Sequence, residues 1–187
     1  MTTWNKFRIA AVLGLTTMAL AACETTSSRP YKASTANIMA AQTAVPEGTK
    51  VSMGDFSAAA DIDVSPTCRA MGALEVAPGQ TPVEYIRDAM QEELFNAGLV
   101  KPDGAAINGE ITKLEFSSIG TGTWDVALKV TSAAYPQGYE VSETYSFKTS
   151  FSAINACQNT IDAFQPTVSN LLNKVVTHPE FSKLAGA

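Results

Sequence analysis

Thr121-Gly122-Thr123-Trp124-Asp125-Val126-Ala127-Leu128-Lys129-Val130-Thr131 is the stretch that decides the fold. Trp124, Val126, Leu128 and Val130 fall on one side of an extended chain, and Asp125, Ala127, Lys129 and Thr131 on the other, because successive strand side chains alternate between faces. A strand with one dry and one wet face needs neighbours patterned the same way, and they flank it. Before it, Ile107, Gly109 and Ile111 alternate, and Leu114 and Phe116 continue out of phase, which predicts a bulge near Thr112 or Lys113. Gly120-Thr121-Gly122 is the turn between the two. After it, Pro136-Gln137-Gly138 leads into Tyr139, Val141, Tyr145, Phe147 and Phe151, with Glu140, Ser142, Thr144, Ser146 and Lys148 opposite. The three segments predict an antiparallel meander.

The dry face requires cover. Thr81-Pro82-Val83-Glu84 is a capping-box sequence with proline at the first helical position. Val83, Ile86, Met90, Leu94 and Ala97 then recur at helical spacing, Arg87, Asp88, Gln91 and Glu92 take the other side, and Gly98 supplies the stop. A second helix is read from Cys157, Ile161, Phe164, Val168, Leu171, Leu172 and Val175. Pro166 is expected to kink or restart it. His178-Pro179 ends it, and Phe181 and Leu184 tuck in a last turn. Upstream, Val51, Met53 and Phe56 suggest a strand, Ile62 and Val64 another, and Leu74 to Val76 a short third. The expected fold is α+β: an antiparallel sheet of about four strands with two amphipathic helices on one face, a two-layer sandwich.

The N-terminus carries a different message. Lys6 and Arg8 precede an uncharged run from Ile9 to Leu20, which has the length of a signal-peptide core and is too short to span a bilayer of about 30 Å. Leu20-Ala21-Ala22-Cys23 follows and resembles the bacterial lipobox at all four positions. The resemblance implies cleavage before Cys23 by signal peptidase II and lipidation of the Cys23 thiol. Each buried methylene contributes roughly 0.8 kcal/mol, so two or three acyl chains hold a protein on a bilayer stably. Glu24 rather than Asp follows the cysteine, which favours the outer membrane, with a periplasm-facing domain. The expected organisation is a signal peptide over 1–22, a lipid-anchored flexible tether over 23–48 rich in Ser, Thr and Ala, and one domain over 49–187. Within the tether Ala36 to Thr43 is a helix former that could pack as a short helix, though a helix of that length is marginal alone.

Without residues 1–22 the chain has 11 basic and 18 acidic residues, a net charge of −7. That balance lacks the basic footprint of a nucleic-acid binder. With Cys23 committed to lipid, Cys68 and Cys157 remain as an even pair in a compartment that permits disulfides. A bridge is the simplest account, and two separate buried thiols are the alternative.

No reactive constellation stands out. His178 is the only histidine, placed at a helix end with no nucleophile or orienting acid assigned to it by spacing. Cys68, Cys157 and His178 lack short metal-ligand spacings, so no metal or cofactor is expected. Asp61 and Asp63 put two carboxylates on one side of a strand, a pattern that serves glycoside hydrolysis but is commoner on solvated surfaces. Gly120-Thr121-Gly122 lacks the lysine and setting of a phosphate loop. Trp124, Tyr145, Phe147 and Phe151 read as a core face rather than a ligand surface, and the peptidoglycan-binding helix motif of OmpA-like lipoproteins is not found.

From about Lys50 the order of elements resembles the YajG-type envelope lipoproteins and the auxiliary lipoproteins of lipid and lipopolysaccharide export. The resemblance is carried by Tyr85-Ile86-Arg87-Asp88-Ala89-Met90 with Leu94 and Ala97-Gly98, by Ile107-Asn108-Gly109-Glu110-Ile111 with Leu114, by the Val126 to Val130 strand, and by the closing segment from Leu171-Leu172 to His178-Pro179-Glu180-Phe181. It implies a noncatalytic accessory subunit that binds an envelope protein or a lipidic partner. Two alternatives remain: a periplasmic hydrolase of cell wall or lipid using some of Asp61, Asp63 and His178, and a structural or surface-exposed lipoprotein.

Overall fold

A computed structural model describes residues 30–187, and Cys23, with the expected signal peptide, lies outside the described residues. The elements are α1 (Thr35–Ala44), β1 (Val51–Ala58), α2 (Pro82–Asn96), β2 (Ala105–Ser117), β3 (Thr121–Ser132), β4 (Tyr139–Lys148), α3 (Ala153–Val176) and the short α4 (Phe181–Leu184). The four strands form one sheet in the order β1-β2-β3-β4. The class is therefore α+β, and the meander β2-β3-β4 is antiparallel as its alternation predicts. The β2–β3 register shifts between Ile111 and Lys113, at the expected bulge.

The sheet is mixed rather than wholly antiparallel, because β1 pairs with β2 in parallel. Parallel neighbours need a long crossover, and the segment from Ala59 through α2 provides it. Side-chain alternation is the same in either direction, so the pattern of Val51, Met53 and Phe56 did not reveal this. The strands expected at Ile62–Val64 and Leu74–Val76 do not form; among residues 59–81 only the isolated bridges Thr67↔Ala73 and Ala77↔Gln80 occur. Leu74 and Val76 are nonetheless buried and close the edge of the core.

Both expected helices cover the same face. Thr81 Oγ1 accepts from the Glu84 N–H at 3.3 Å, and the Glu84 carboxylate accepts from the Thr81 N–H at 2.8 Å, so the capping box is complete. Those bonds hold the Glu84 carboxyl below the usual carboxylate range. Tyr85, Ile86, Ala89, Met90 and Leu94 are buried beneath. The second helix, α3, is one element through Pro166. The ring removes a single rung, while Thr160 and Thr167 donate back to Ala156 and Ala163 at 2.9 and 2.6 Å on either side. Phe164, Val168, Leu171, Leu172 and Val175 keep the helix in place by burial on both flanks of the proline.

Trp124 is the centre of the packing. It is fully buried, donates Nε1–H to the Thr160 carbonyl at 2.8 Å, and meets Phe164 and Phe116 with ring centroids 4.9 and 5.1 Å away. Phe164 continues to Tyr85 at 5.3 Å and Tyr85 to Tyr31 at 6.1 Å. Burial pushes the Tyr85 hydroxyl up to about 12.

Tyr31 belongs to the stretch expected to be a flexible tether. Within it, Thr35–Ala44 instead forms α1, which packs on α2 and α3 with Asn37 and Ala41 buried. Its clasp is Glu93, 1 % exposed, whose Oε1 accepts from Tyr31 Oη at 2.6 Å, the Ser34 N–H at 2.9 Å and Asn37 Nδ2 at 3.0 Å. Asn37 also reaches the Ser169 carbonyl at 2.9 Å and accepts from Asn173 Nδ2 at 2.9 Å. A buried carboxyl group needs such partners, and here all of them fall on Oε1 while Oε2 is buried without one. Burial and Glu93 together raise the Tyr31 hydroxyl far above its ordinary value.

Glu93→Ala leaves three donors without their acceptor, and we expect a stability loss of about 3 kcal/mol with early proteolysis within residues 31–44; resistance equal to the parent would refute the clasp. For the capping box, a depressed carboxylate contributes stability above its unfolded pKa, and the contribution disappears as pH falls through the folded value. Glu84→Gln should therefore be less stable than the parent at about pH 7 and converge with it at a pH well below the folded value of the carboxyl. Denaturation midpoints that differ equally at both pH values would contradict this.

Candidate functional site

One end of the sheet gathers three loops. Because β1 and β2 are parallel, the end of β1, the β2–β3 turn and the β4–α3 connection lie at that same end. The loop after β1 is fixed there by the Cys68–Cys157 disulfide, with Cα atoms 5.9 Å apart. The pair therefore forms the bridge that the cysteine count suggested. It closes 89 positions of chain, which removes roughly 4 to 5 kcal/mol of unfolded-state freedom in the chain-entropy account.

Next to the bridge, Arg69 and Ala70 hold φ of 45° and 57°, the left-handed region that non-glycine residues enter at a cost of roughly 1–2 kcal/mol each. The conformation is held from several sides. Arg69 donates from Nε to Ser118 Oγ at 3.0 Å, from Nη2 to the Ser118 carbonyl, and from Nη1 to the Ser150 carbonyl at 3.0 Å. Thr149 Oγ1 donates to the Gly120 carbonyl at 2.6 Å, tying the two remaining loops together. Below them Phe147 lies over Gly122, its cross-strand partner, where a Cβ would come within 2.4 Å of the ring.

The framework holds apolar side chains out of the core. Six large apolar residues are exposed among the described residues, and four belong to this tip: Met71, Ile119, Phe151 and Ile154. Ile119 is 74 % exposed and Phe151 fully so. A shallow cavity of about 770 Å³ opens between Ile119, Phe147 and Phe151, with Arg69 and Lys148 at its margin. The site offers apolar contact and positive charge, with no arranged nucleophile.

Among the aromatic and ionisable residues singled out by sequence, Phe147 and Phe151 line this cavity and the others are placed elsewhere. Trp124 is core, and Tyr145 and Phe147 are partly buried against it, as the core-face reading requires. Phe151 departs from that reading. Ser152 caps α3, its Oγ accepting from the Asn155 N–H at 3.5 Å, so β4 ends at Lys148 and Phe151 is turned out. His178 stacks on Tyr139 at 3.9 Å on the helix side of the sheet, and its Nδ1 accepts from the Glu180 N–H at 3.2 Å. Tyr139 donates to the Val175 carbonyl at 2.8 Å, and burial raises its hydroxyl above the ordinary value. Asp61 and Asp63 are exposed and border a polar groove on the opposite, wet face, beside Thr112, Glu140 and Thr144. Asp63 Oδ1 caps its own turn by accepting from the Ser65 N–H at 2.9 Å. The sheet thus stands between His178 and the Asp pair. Among the described residues no cluster of His, Cys, Asp and Glu is arranged to hold a metal, and no helix is long and apolar enough to cross a membrane.

Sequence reasoning missed Arg69 and Ile119. Ile119 did carry a signal, since an isoleucine between Ser118 and Gly120 at a hairpin turn cannot belong to either strand face.

No protein-family model matches the chain, and no curated protein does. Among solved structures it is similar to a Xanthomonas campestris protein of the family DUF330, with TM-score 0.45 and 12 % identity over 71 % of this chain and 89 % of that one. It is also similar to a PelC variant dodecamer from Paraburkholderia phytofirmans, with TM-score 0.34 and 10 % identity over 68 % and 90 % of the two chains. Superpositions this loose carry no function from either protein to this one.

Replacing Cys68 and Cys157 by Ser should cost about 2–5 kcal/mol and speed amide exchange in residues 67–73 more than in β3. Two free thiols in the native protein, seen by nonreducing mass spectrometry, would exclude the bridge.

Proposed function

We propose that the chain is the precursor of a noncatalytic lipoprotein that is held at the outer membrane by lipid on Cys23, faces the periplasm, and works as an accessory or binding component in envelope assembly or transport. The observation that carries the binding role is the gathering of Met71, Ile119, Phe151 and Ile154 at one end of the sheet. Burying apolar area drives association at about 25 cal/mol per Å², and a contiguous exposed patch on a folded domain marks a contact surface. The tip is not a frayed loop: a disulfide and the bonds of Arg69 hold it in a strained conformation.

The lipobox Leu20-Ala21-Ala22-Cys23 after an apolar run of signal-peptide length supports the anchor. The resemblance to the YajG-type and transport-auxiliary lipoproteins points to the same role. The hydrolase alternative requires Asp61, Asp63 and His178 in one cleft, and they occupy opposite sides of the sheet.

In cells fed a clickable fatty acid, the parent protein should take up label, while Cys23→Ser should remain unlabelled and keep its leader. Label retained by Cys23→Ser would remove the anchor. Crosslinking in cells should retrieve a defined envelope component, and recovery of free monomer alone would argue against an accessory role.

A further inference from the structure

We infer that the apolar tip seats on the surface of an anionic lipid bilayer and gives the domain a second membrane contact beside the lipid on Cys23; this rests on the anchored reading above. Three observations identify a bilayer as the occupant. The first is composition. Ile119 and Phe151 project from loops, Ile154 and Met71 extend the same apolar end, and the charged side chains bordering the cavity are Arg69 and Lys148, with no carboxylate. In a chain of net charge −5, an end that pairs exposed apolar groups with positive charge alone is set apart from the rest of the surface. Apolar side chains that enter the acyl boundary beside cations that meet anionic headgroups are the makeup of an interfacial contact.

The second observation is the direction from which the chain enters. The Ala33 and Ser34 N–H groups bond to Glu92 and Glu93 in the third turn of α2, at 3.2 and 2.9 Å, whereas the Tyr31 ring lies against Tyr85 in its first turn. Tyr31 Oη itself reaches Glu93, but Asn37 meets Glu93 while Gln42, further along α1, meets the Ala97 carbonyl at the end of α2, so α1 runs in the same sense as α2 and the chain enters it from the side of the α2 start. That is the sheet end where β1 finishes and the tip lies.

The third is reach. Only the seven residues Glu24–Pro30 separate Cys23 from Tyr31, and so short a segment spans at most about 25 Å even fully extended. A lipid on Cys23 therefore keeps the tip end of the domain close to the bilayer. An anchor on a tether leaves the domain free to rotate; the tip supplies a second point of contact that fixes how it faces the membrane.

The test uses the full protein reconstituted in vesicles of phosphatidylcholine with and without phosphatidylglycerol, part of the lipid carrying brominated acyl chains. Phe151→Trp places a reporter on the tip, and Phe95→Trp places one at the far end of α2, at a residue that is also exposed. Both variants share the background of the buried Trp124, and of Trp4 wherever the leader is retained, which the parent protein measured alongside subtracts. Emission from Phe151→Trp should shift to the blue and be quenched by bromine, more strongly when phosphatidylglycerol is present, while Phe95→Trp should show neither effect. Adding Ile119→Glu should abolish the quenching. Equal quenching at the two positions would overturn the proposal, as would quenching indifferent to phosphatidylglycerol. An unquenched tip that instead crosslinks to an envelope protein would overturn it in favour of a protein partner. The anchor is scored separately by acyl labelling: label without tip quenching removes the tip contact and keeps the anchor, and tip quenching without label does the reverse.

Discussion

Trp124 must be dry, and its indole proton must still find an acceptor. Both demands are met by one helix, because α3 gives the ring Phe164 to pack on and the Thr160 carbonyl to bond. That carbonyl belongs to the turn after Cys157, so the same stretch of α3 seats the largest side chain of the sheet and carries half of the disulfide. The alternation of β3 specifies which face is dry, and the tryptophan fixes where along that face α3 comes to rest. Phe116 on one side and Tyr85 on the other extend the contact to β2 and to α2. An unsatisfied indole in this position would cost roughly 1–3 kcal/mol, a large part of the net stability of a domain this size.

Local signals in the sequence were legible and non-local ones were not. The capping box at Thr81 to Glu84, the bulge near Thr112 and the alternation of β3 each depend on residues within a few positions of one another, and all three are present. The direction of β1 depends on a crossover that alternation does not encode. For α1 only the helix-forming composition of Ala36 to Thr43 was legible, because its buried side is built from Asn37 and Ala41 and is held by a carboxylate on another helix, leaving no apolar stripe to read. Pro166 does not end α3, since apolar contact before and after a missing rung outweighs a penalty of about 3 kcal/mol. At the candidate site the strand phase misled. Phe151 continues the spacing of Tyr145 and Phe147, yet the Ser152 cap turns the chain before that phase is used.

The two faces and two ends of the domain differ in chemistry. The wet face of the sheet is polar and bordered by acids, with Asp61, Asp63, Glu115, Glu140 and Glu143 around one groove. The end carrying the disulfide is apolar and bordered by cations. The other end is closed by α4 and by the stack of His178 on Tyr139, with the Glu180 carboxyl lowered by its 2.5 Å contact to Lys183. Only the disulfide end combines exposed apolar groups with strained backbone. Strain of this kind persists where surrounding bonds over-determine it, and here they come from three loops that are far apart in sequence.

The Glu93 clasp also has a mechanical meaning. A pull applied to the chain at residue 30 reaches Tyr31, Ser34 and Asn37 before it reaches any strand, and those three contacts converge on a single carboxylate oxygen. Hydrogen bonds loaded along the pulling direction let go after small extensions, whereas the sheet ladders behind them share a load across many rungs. The hold of α1 on the core is thus concentrated on Glu93, with Asn37 adding bonds to Ser169 and Asn173 on α3, whereas each strand is held along its whole length.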